Sequence, residues 1–364
     1  MSVHLISDPI QDESRCEPAV FPTIAQSDTP VIQARGLTRV FRTYKKQPGL
    51  AGAVRGLLRR QYEEIAAADN VSFDLSEGEL VGFLGPNGAG KTTTLKMLAG
   101  LLHPTRGSAT VLGYVPWQRR NQYRRQFALL LGQKNQLWWD LPASDSLELN
   151  RKIYGITARE FAAAVDELSH RLHVADKLNV MVRELSLGER MKMELIAALL
   201  HRPKVLFLDE PTIGLDVVSQ KTVREFLRVY NREHKTTILL TSHYMADIEA
   251  LCRRVIIMDR GHIFFNGSLQ EVIDRFADSR FIQLTTVDPQ AALAVQGLPF
   301  GSEIVEQTPG RLKVRVKRER VSAACKALLE RLPVADISIQ DIPIEDVIHN
   351  LFDSRLAMDS FGRR

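Results

Sequence analysis

Cysteine is scarce in this 364-residue chain. Cys16, Cys252 and Cys325 stand far apart with no metal-ligand spacing. That excludes a disulfide framework and a thiolate metal cluster, and it predicts reduced, mainly structural thiols in a cytosolic setting. Long hydrophobic runs are missing too: none approaches the ~18 residues of a membrane span. Residues 1–30 lack the basic start and apolar core of a signal peptide. They carry Asp8, Asp12, Glu13, Glu17 and Asp28 among Ser and Pro, so a disordered tail is expected there. Excess charge is small, with a net +5. Arginines do cluster, at Arg55, Arg59 and Arg60 and again at Arg119, Arg120, Arg124 and Arg125. Neither cluster carries an RNA-binding aromatic motif, so no nucleic-acid partner is expected. No sustained heptad run appears, which removes a long coiled coil. What remains is the composition of an ordinary globular protein, 45% hydrophobic and 25% charged.

Against that plain background one stretch stands out. Gly85-Pro86-Asn87-Gly88-Ala89-Gly90-Lys91-Thr92 fits G-x-x-x-x-G-K-[ST], a phosphate-binding loop. An apolar β-type run, Leu80–Leu84, precedes it, and a helical run from Thr93 to Ala99 follows. Glycines let successive backbone N–H groups turn toward phosphates, and the helix start adds the positive end of its dipole. Lys91 would reach the β- and γ-phosphates, and the Thr92 hydroxyl would ligate Mg²⁺. A second segment, Lys204 to Glu210, is four apolar residues ending in two carboxylates, the pattern of a central parallel strand. Asp209 at its end can hold Mg²⁺, and Glu210 is the candidate general base for the attacking water. A third segment, Leu185-Ser186-Leu187-Gly188-Glu189-Arg190, opens a helix running to Leu200, with Ser186 as N-cap and Gly188 allowing close backbone approach.

This order of motifs resembles the ATP-binding cassette (ABC) transporter ATPases over about Val31 to Gly267. The resemblance implies that Ser186–Arg190 is the signature motif, although Leu187 and Glu189 stand where glycine and glutamine are usual. It implies that Pro211–Asp216 is the D-loop, with Asp216 at its end, that His243 is the switch histidine, and that Gln133 belongs to the Q-loop. Several local features are similar to exporter ATPases of the daunorubicin-resistance and sodium-efflux type. These include Gln133–Pro142, with its Trp138-Trp139 pair, and Pro211–Val218. The site implied comprises Lys91, Thr92, Thr93, Asp209 and Gln133 around the phosphates and Mg²⁺, Glu210 and His243 at the water, and Phe41 stacking on adenine. Ser186, Gly188, Glu189 and Asp216 complete the site of an opposite subunit. ATP and Mg²⁺ are the implied cofactors. A second copy of the chain, arranged head to tail, and membrane-spanning permease subunits are the implied partners. Location is then peripheral, on the cytoplasmic face of the cell membrane. An importer ATPase or a soluble non-transport ABC ATPase is the alternative.

The expected architecture is an α/β P-loop core with a parallel sheet, an antiparallel β subdomain, a helical subdomain and a small C-terminal α+β domain. Alternating strand and helix candidates after Leu185 argue for the parallel sheet. The nucleotide-binding domain is expected over 31–267. It would contain an insertion at 44–64, part of it an amphipathic helix with Leu50, Val54, Leu57, Leu58 and Tyr62 on one face. The helical subdomain is expected over about 123–183. Residues 268–364 would form the C-terminal domain, with a linking helix from Ser268 to Phe276, strands at Phe281–Thr285, Arg311–Val316 and Ile337–Gln340, and a helix at Val321–Arg331. It carries no catalytic motif.

Overall fold

A computed structural model describes residues 30–44, 62–132, 135–242, 244–295 and 302–348. Among these residues three sheets form. The first is antiparallel, in the order β2-β1-β4, from β1 (Ile32–Tyr44), β2 (Tyr62–Leu75) and β4 (Arg106–Val111). The second is the central sheet, in the order β5-β6-β7-β3-β8-β9. Its strands are β3 (Leu80–Leu84), β5 (Phe127–Leu131), β6 (Val205–Asp209), β7 (Thr237–Thr241), β8 (Arg254–Asp259) and β9 (His262–Ser268). Only the β8–β9 pair runs antiparallel; the others are parallel. Val205, Leu206, Phe207 and Leu208 are all 0% exposed, as a strand covered on both faces requires.

The helices are α1 (Lys91–Leu98), α2 (Asn121–Arg124), α3 (Ala143–Tyr154), α4 (Ala158–Arg171), α5 (Leu187–Leu199), α6 (Val217–His234), α7 (Met245–Leu251) and α8 (Leu269–Phe276). Their ends follow local chemistry. Thr157 with Glu160, Ser186 with Glu189, and Ser268 with Glu271 each form a capping box, which satisfies two helix-end donors reciprocally. The arginines at 119 and 124 serve local structure: Arg119 Nε donates to Gly100 O at 2.8 Å, and Arg124 donates to Asn121 Oδ1.

The third sheet, β11-β12-β10-β13, is built from β10 (Ser279–Thr286), β11 (Glu303–Thr308), β12 (Arg311–Lys317) and β13 (Val334–Asp341). With α9 (Pro289–Leu293) and α10 (Val321–Arg331) the chain order is βαββαβ, the ferredoxin-like arrangement. One sheet face and α10 enclose their own core, including Ile282, Leu284, Val314 and Leu328. Phe281 points the other way and belongs to the apolar cluster of the central sheet, together with Ile342, Ile344, Val347 and Ile348.

Two expectations are corrected. Tyr62, expected on a helix face, lies with Glu63 and Glu64 in β2, where Tyr62 pairs with Tyr44 of β1. The remaining residues of the expected insertion, 45–61, lie outside the described set, with Arg55, Arg59 and Arg60 among them. So do 1–29 of the expected tail. The expected helical stretch 123–183 also contains β5, which pairs with β6 in the central sheet.

Candidate active site

The C-terminal ends of β3, β6 and β7 lie side by side and bring together Lys91, Thr92, Asp209 and Glu210 of the residues picked out in the sequence. The loop after β3 turns through Gly85, Gly88 and Gly90 at positive φ, and Ala89 N donates to Pro86 O at 3.1 Å. Gly90 is obligatory: at φ 102° a Cβ would stand 2.2 Å from Ala67 O. Lys91 opens α1 and is only 6% exposed. Its Nζ donates to Gly85 O at 2.6 Å and to Pro86 O at 3.0 Å, so the side chain curls along the loop. Burial pushes its ammonium below the ordinary value, and the charges of Glu210 and Asp209 push it back up.

Thr92 Oγ1 donates to Asp209, 3.0 Å from Oδ1 and 2.9 Å from Oδ2. Thr241 Oγ1, at the end of β7, donates to Asp209 Oδ1 at 2.7 Å. The backbone N–H of Glu210 donates back to Thr241, 3.0 Å from O and 3.1 Å from Oγ1. Thr241 thus locks Asp209 and Glu210 together, a role that sequence reading missed. Its signal is a polar residue that follows the apolar run Ile238-Leu239-Leu240 directly before Ser242-His243. Glu210 itself sits at φ 56°, a region that non-glycine residues seldom occupy. Strained backbone of this kind concentrates at functional positions. A threonine hydroxyl beside a carboxylate is a hard oxygen donor set, which fits a magnesium ion.

Gln133 and His243 lie outside the described residues, but their neighbours are placed. Gly132 N donates to Asp209 O at 2.8 Å, so the chain enters the Q-loop at the carboxylate strand. Ser242 is buried, and Tyr244 N donates to its Oγ at 3.0 Å. Phe41 lies on β1, paired with Ile65 and 36% exposed. Arg39 holds its guanidinium 4.8 Å from the Phe41 ring centroid. Thr93 follows Thr92 on the partly exposed side of α1.

A second cluster forms where α5 and α6 begin. Ser186 N donates to Glu189 Oε2 at 2.9 Å, and Glu189 N donates to Ser186 Oγ at 3.2 Å. These bonds hold the Glu189 carboxyl below its ordinary range, with Lys177 Nζ 3.5 Å away adding to the effect. A carboxylate at this position therefore has a local use as a helix cap. Asp216 caps α6, accepting from Ser219 N at 2.9 Å, and those Ser219 contacts hold its carboxyl down as well. Gly188 is wedged against this cap: a Cβ there would come within 2.5 Å of Ser219 Oγ. Leu187 lies over Gly214, where an added Cβ would meet its Cδ2 at 2.9 Å. The larger residue at 187 is thus taken up by packing on the D-loop of its own chain.

The helix α5 also holds the segment that follows Gln133. Glu194 is 4% exposed, and its carboxylate accepts from Gln136 N at 2.8 Å and from Leu137 N at 3.2 Å. Burial pushes this carboxyl up more than those hydrogen bonds push it down. The folded state therefore holds the Glu194 proton more tightly than the unfolded chain does. That contribution to stability is present below the unfolded value near pH 4.5 and is lost as pH rises through the raised folded value. Urea midpoints of the wild type and Glu194→Gln, measured from pH 4.5 to 7.5, are expected to show this decline in the wild type only. Parallel curves would remove the assignment.

The comparisons agree with this geometry. A family model described as ABC transporter matches residues 68–213, and one described as EvrA-like ABC transporter, C-terminal domain, matches residues 278–340. The chain is 37% identical over 210 residues to the ABC transporter ATP-binding protein NatA of Bacillus subtilis, covering 58% of this chain and 85% of NatA. It is 36% identical over 232 residues to the Nod factor export ATP-binding protein I of Burkholderia pseudomallei, covering 64% and 76%. It is 29% identical over 301 residues to the linearmycin resistance ATP-binding protein LnrL of Bacillus subtilis, covering 81% and 96%. Among solved structures, an ATP-binding subunit of an ABC transporter aligns with TM-score 0.56 at 26% identity, covering 68% of this chain and 93% of that one. The dimeric post-hydrolysis cassette MJ0796, bound to ADP and Pi, shares the fold with TM-score 0.55 at 21% identity, covering 65% and 98%. With the glycine-rich loop, the Asp209-Glu210 pair and the helix capped by Ser186 in one framework, the chain belongs to the ATP-binding subunits of ABC transporters and is an ATPase.

Proposed function

We propose that this chain is the motor subunit of an ABC exporter, working as a head-to-tail homodimer beneath membrane-spanning permease subunits. In this reading Lys91 and the N–H groups of Gly85–Gly90 bind the ATP phosphates, with Thr93 beside them, and Phe41 stacks on adenine. Thr92, Asp209 and Gln133 would hold Mg²⁺, which neutralises charge on the phosphate oxygens when bound. Glu210 takes a proton from the attacking water, and His243 positions that water against the γ-phosphate. The chain carries one phosphate loop and one signature motif. Two copies, each presenting Ser186, Gly188, Glu189 and Asp216 to the other, would give two complete ATP sites. Export is favoured by relatives named for Nod factor export and for linearmycin resistance.

The observation that carries the permease reading is an apolar patch beside the Q-loop. Trp138, Trp139, Leu141, Leu149, Ile153 and Met181 are all at least 36% exposed. Arg183 N donates to Trp139 O and Val182 N to Leu141 O, so the patch has a fixed backbone. Exposed large apolar side chains concentrated on neighbouring segments are the composition of an interaction site. Among the described residues no helix is long and apolar enough to cross a membrane; in the transport reading the membrane-spanning permease subunits supply the pathway.

Purification from gently solubilised native membranes tests the proposal. Recovery of a membrane-spanning subunit without a substrate-binding protein is expected. A co-purifying binding protein would favour an importer, and recovery with ribosomes or nucleic acid would overturn transport. Trp138→Ala/Ile153→Ala alters two side chains that are each 60% exposed, so folding should be little changed. Recovery of the membrane subunit should fall at least ~10-fold, which corresponds to losing about 1.4 kcal/mol of binding. Undiminished recovery would place the docking surface elsewhere.

A further inference from the structure

Asp247 on α7 is fully buried. Its Oδ2 accepts hydrogen bonds from Thr212 Oγ1 and from Ser242 Oγ, the latter at 2.6 Å. Its Oδ1 lies 3.3 Å from Arg224 Nε, an ion pair that does not have hydrogen-bond geometry. These partners come from three places that matter. Thr212 is two residues beyond Glu210, and Ser242 immediately precedes His243. Arg224 sits on α6, the helix that Asp216 caps, and donates through Nε to Gln220 O at 3.3 Å. Gln220 in turn donates to Leu215 O at 3.1 Å, so the far side of the D-loop is tied into the same network.

A buried carboxylate is costly, and apolar residues of the same volume would usually hold three elements together at least as well. What apolar packing cannot do is fix direction. A carboxylate oxygen that takes two hydroxyl donors sets the separation of the two loops that carry them to within hydrogen-bond tolerance. We propose that Asp247 is a positioning residue for ATP hydrolysis: it pins the segment after Glu210 to the segment before His243, so that the two reach one γ-phosphate together. This rests on the roles given above to Glu210 and His243. Asp247 does not touch nucleotide in this assignment and acts only through Thr212 and Ser242.

The test separates this proposal from the reading beneath it. In the purified full-length chain, nucleotide affinity and single-turnover hydrolysis are measured for Asp247→Asn, Thr212→Val, Ser242→Ala, the Thr212→Val/Ser242→Ala pair, and Glu210→Gln. The two hydroxyl deletions leave the ion pair intact and should fold normally even if Asp247→Asn does not. Each is expected to slow hydrolysis about 3–10-fold with ATP affinity within about 2-fold of wild type. The pair should lose less than the product of the singles, because both hydroxyls act through one carboxylate. Asp247→Asn, where it folds, should lose about 10–100-fold in rate. Unchanged rates in the hydroxyl variants, beside a slow Glu210→Gln, overturn the positioning role and leave the catalytic reading standing. Affinity and rate falling together overturn it in favour of a plain structural role. Brisk hydrolysis by Glu210→Gln removes the reading on which it rests.

Discussion

Glu210→Gln is expected to bind ATP as the wild type does and to hydrolyse it about 10²–10⁴-fold more slowly, the usual loss when a general base is removed. The amide has the shape of the carboxylate but cannot take the proton of an attacking water at neutral pH. Binding should survive, because the proposed phosphate contacts lie elsewhere, in Lys91 and the loop from Gly85 to Gly90. The backbone should tolerate the change, since glutamine meets the positive φ of residue 210 with the same Cβ as glutamate. In the proposed dimer, hydrolysis is what releases the two copies. The variant should therefore accumulate with ATP as a species of twice the mass of the monomer, visible by size-exclusion chromatography with light scattering. Single-turnover hydrolysis at the wild-type rate would strike Glu210 from the mechanism. Slow hydrolysis with no ATP-dependent dimer would keep Glu210 and discard the head-to-tail assembly.

Lys91→Met carries the second large effect, and it has two faces. Methionine keeps an unbranched apolar stem of nearly the same length and deletes the charge and donors. Hydrogen bonds from a charged donor are worth about 1.5–3 kcal/mol each, so ATP affinity should fall by on the order of 10²-fold. The apoprotein should behave in the opposite sense. Burial holds the Lys91 ammonium below its ordinary value, so the folded state binds that proton less tightly than the unfolded chain. The cost of the buried charge is fully present below the lowered value and is relieved only as pH rises toward the unfolded value of 10.5. At pH 7 removal of the charge should leave the apo melting temperature equal or higher. ATP at 100 times its Kd adds about 2.7 kcal/mol of stability to the wild type, a rise of roughly 3–5 °C. The variant should lose most of that rise at the same ATP concentration. A full ATP-induced rise in Lys91→Met would dismiss the phosphate-loop assignment, and a sharply lower apo melting temperature would show Lys91 to be structural.

The parts legible in the sequence were those whose physics is local. The phosphate loop is a contiguous run whose glycines and lysine serve one ligand, and β6 announces itself by four apolar residues before two acids. Ser186 and Glu189 mark a helix start three residues apart. Where a strand has only one buried face or a short polar run, the signal fades. Arg106–Val111 alternates weakly, with Ala109 and Val111 buried, and was not anticipated. The run from Phe127 to Leu131 is too short for periodicity to separate strand from helix. Glu63 to Ala68 has helix-favouring residues, yet pairing with β1 decides for strand. The site itself divides the same way. Lys91, Thr92, Asp209 and Glu210 could be named from motifs, but the bonds that position them could not. Thr92 and Asp209 are 117 residues apart, and Thr212 and Asp247 are 35 apart. No spacing rule reaches across such distances. The burial of Asp247 became visible only once α7 was folded against the D-loop.

The placement of Ile342, Ile344, Val347 and Ile348 bears on how the protein is made. They share one apolar cluster with Leu206, Leu208, Ile248 and Val255 of the nucleotide-binding half. At a synthesis rate of about 5–20 residues per second, Ile348 follows Thr241, the end of the last ATP-site strand, from the ribosome by roughly 5–20 s. For that interval the nascent cassette has its ATP-site strands but lacks the side chains that close its far end. A chaperone that shields apolar surface during translation has its window there. A premature stop codon anywhere between Ala277 and Ile342 would yield a chain with every ATP-site motif but without the four apolar side chains of Ile342, Ile344, Val347 and Ile348, and a stability below that of the whole chain is expected.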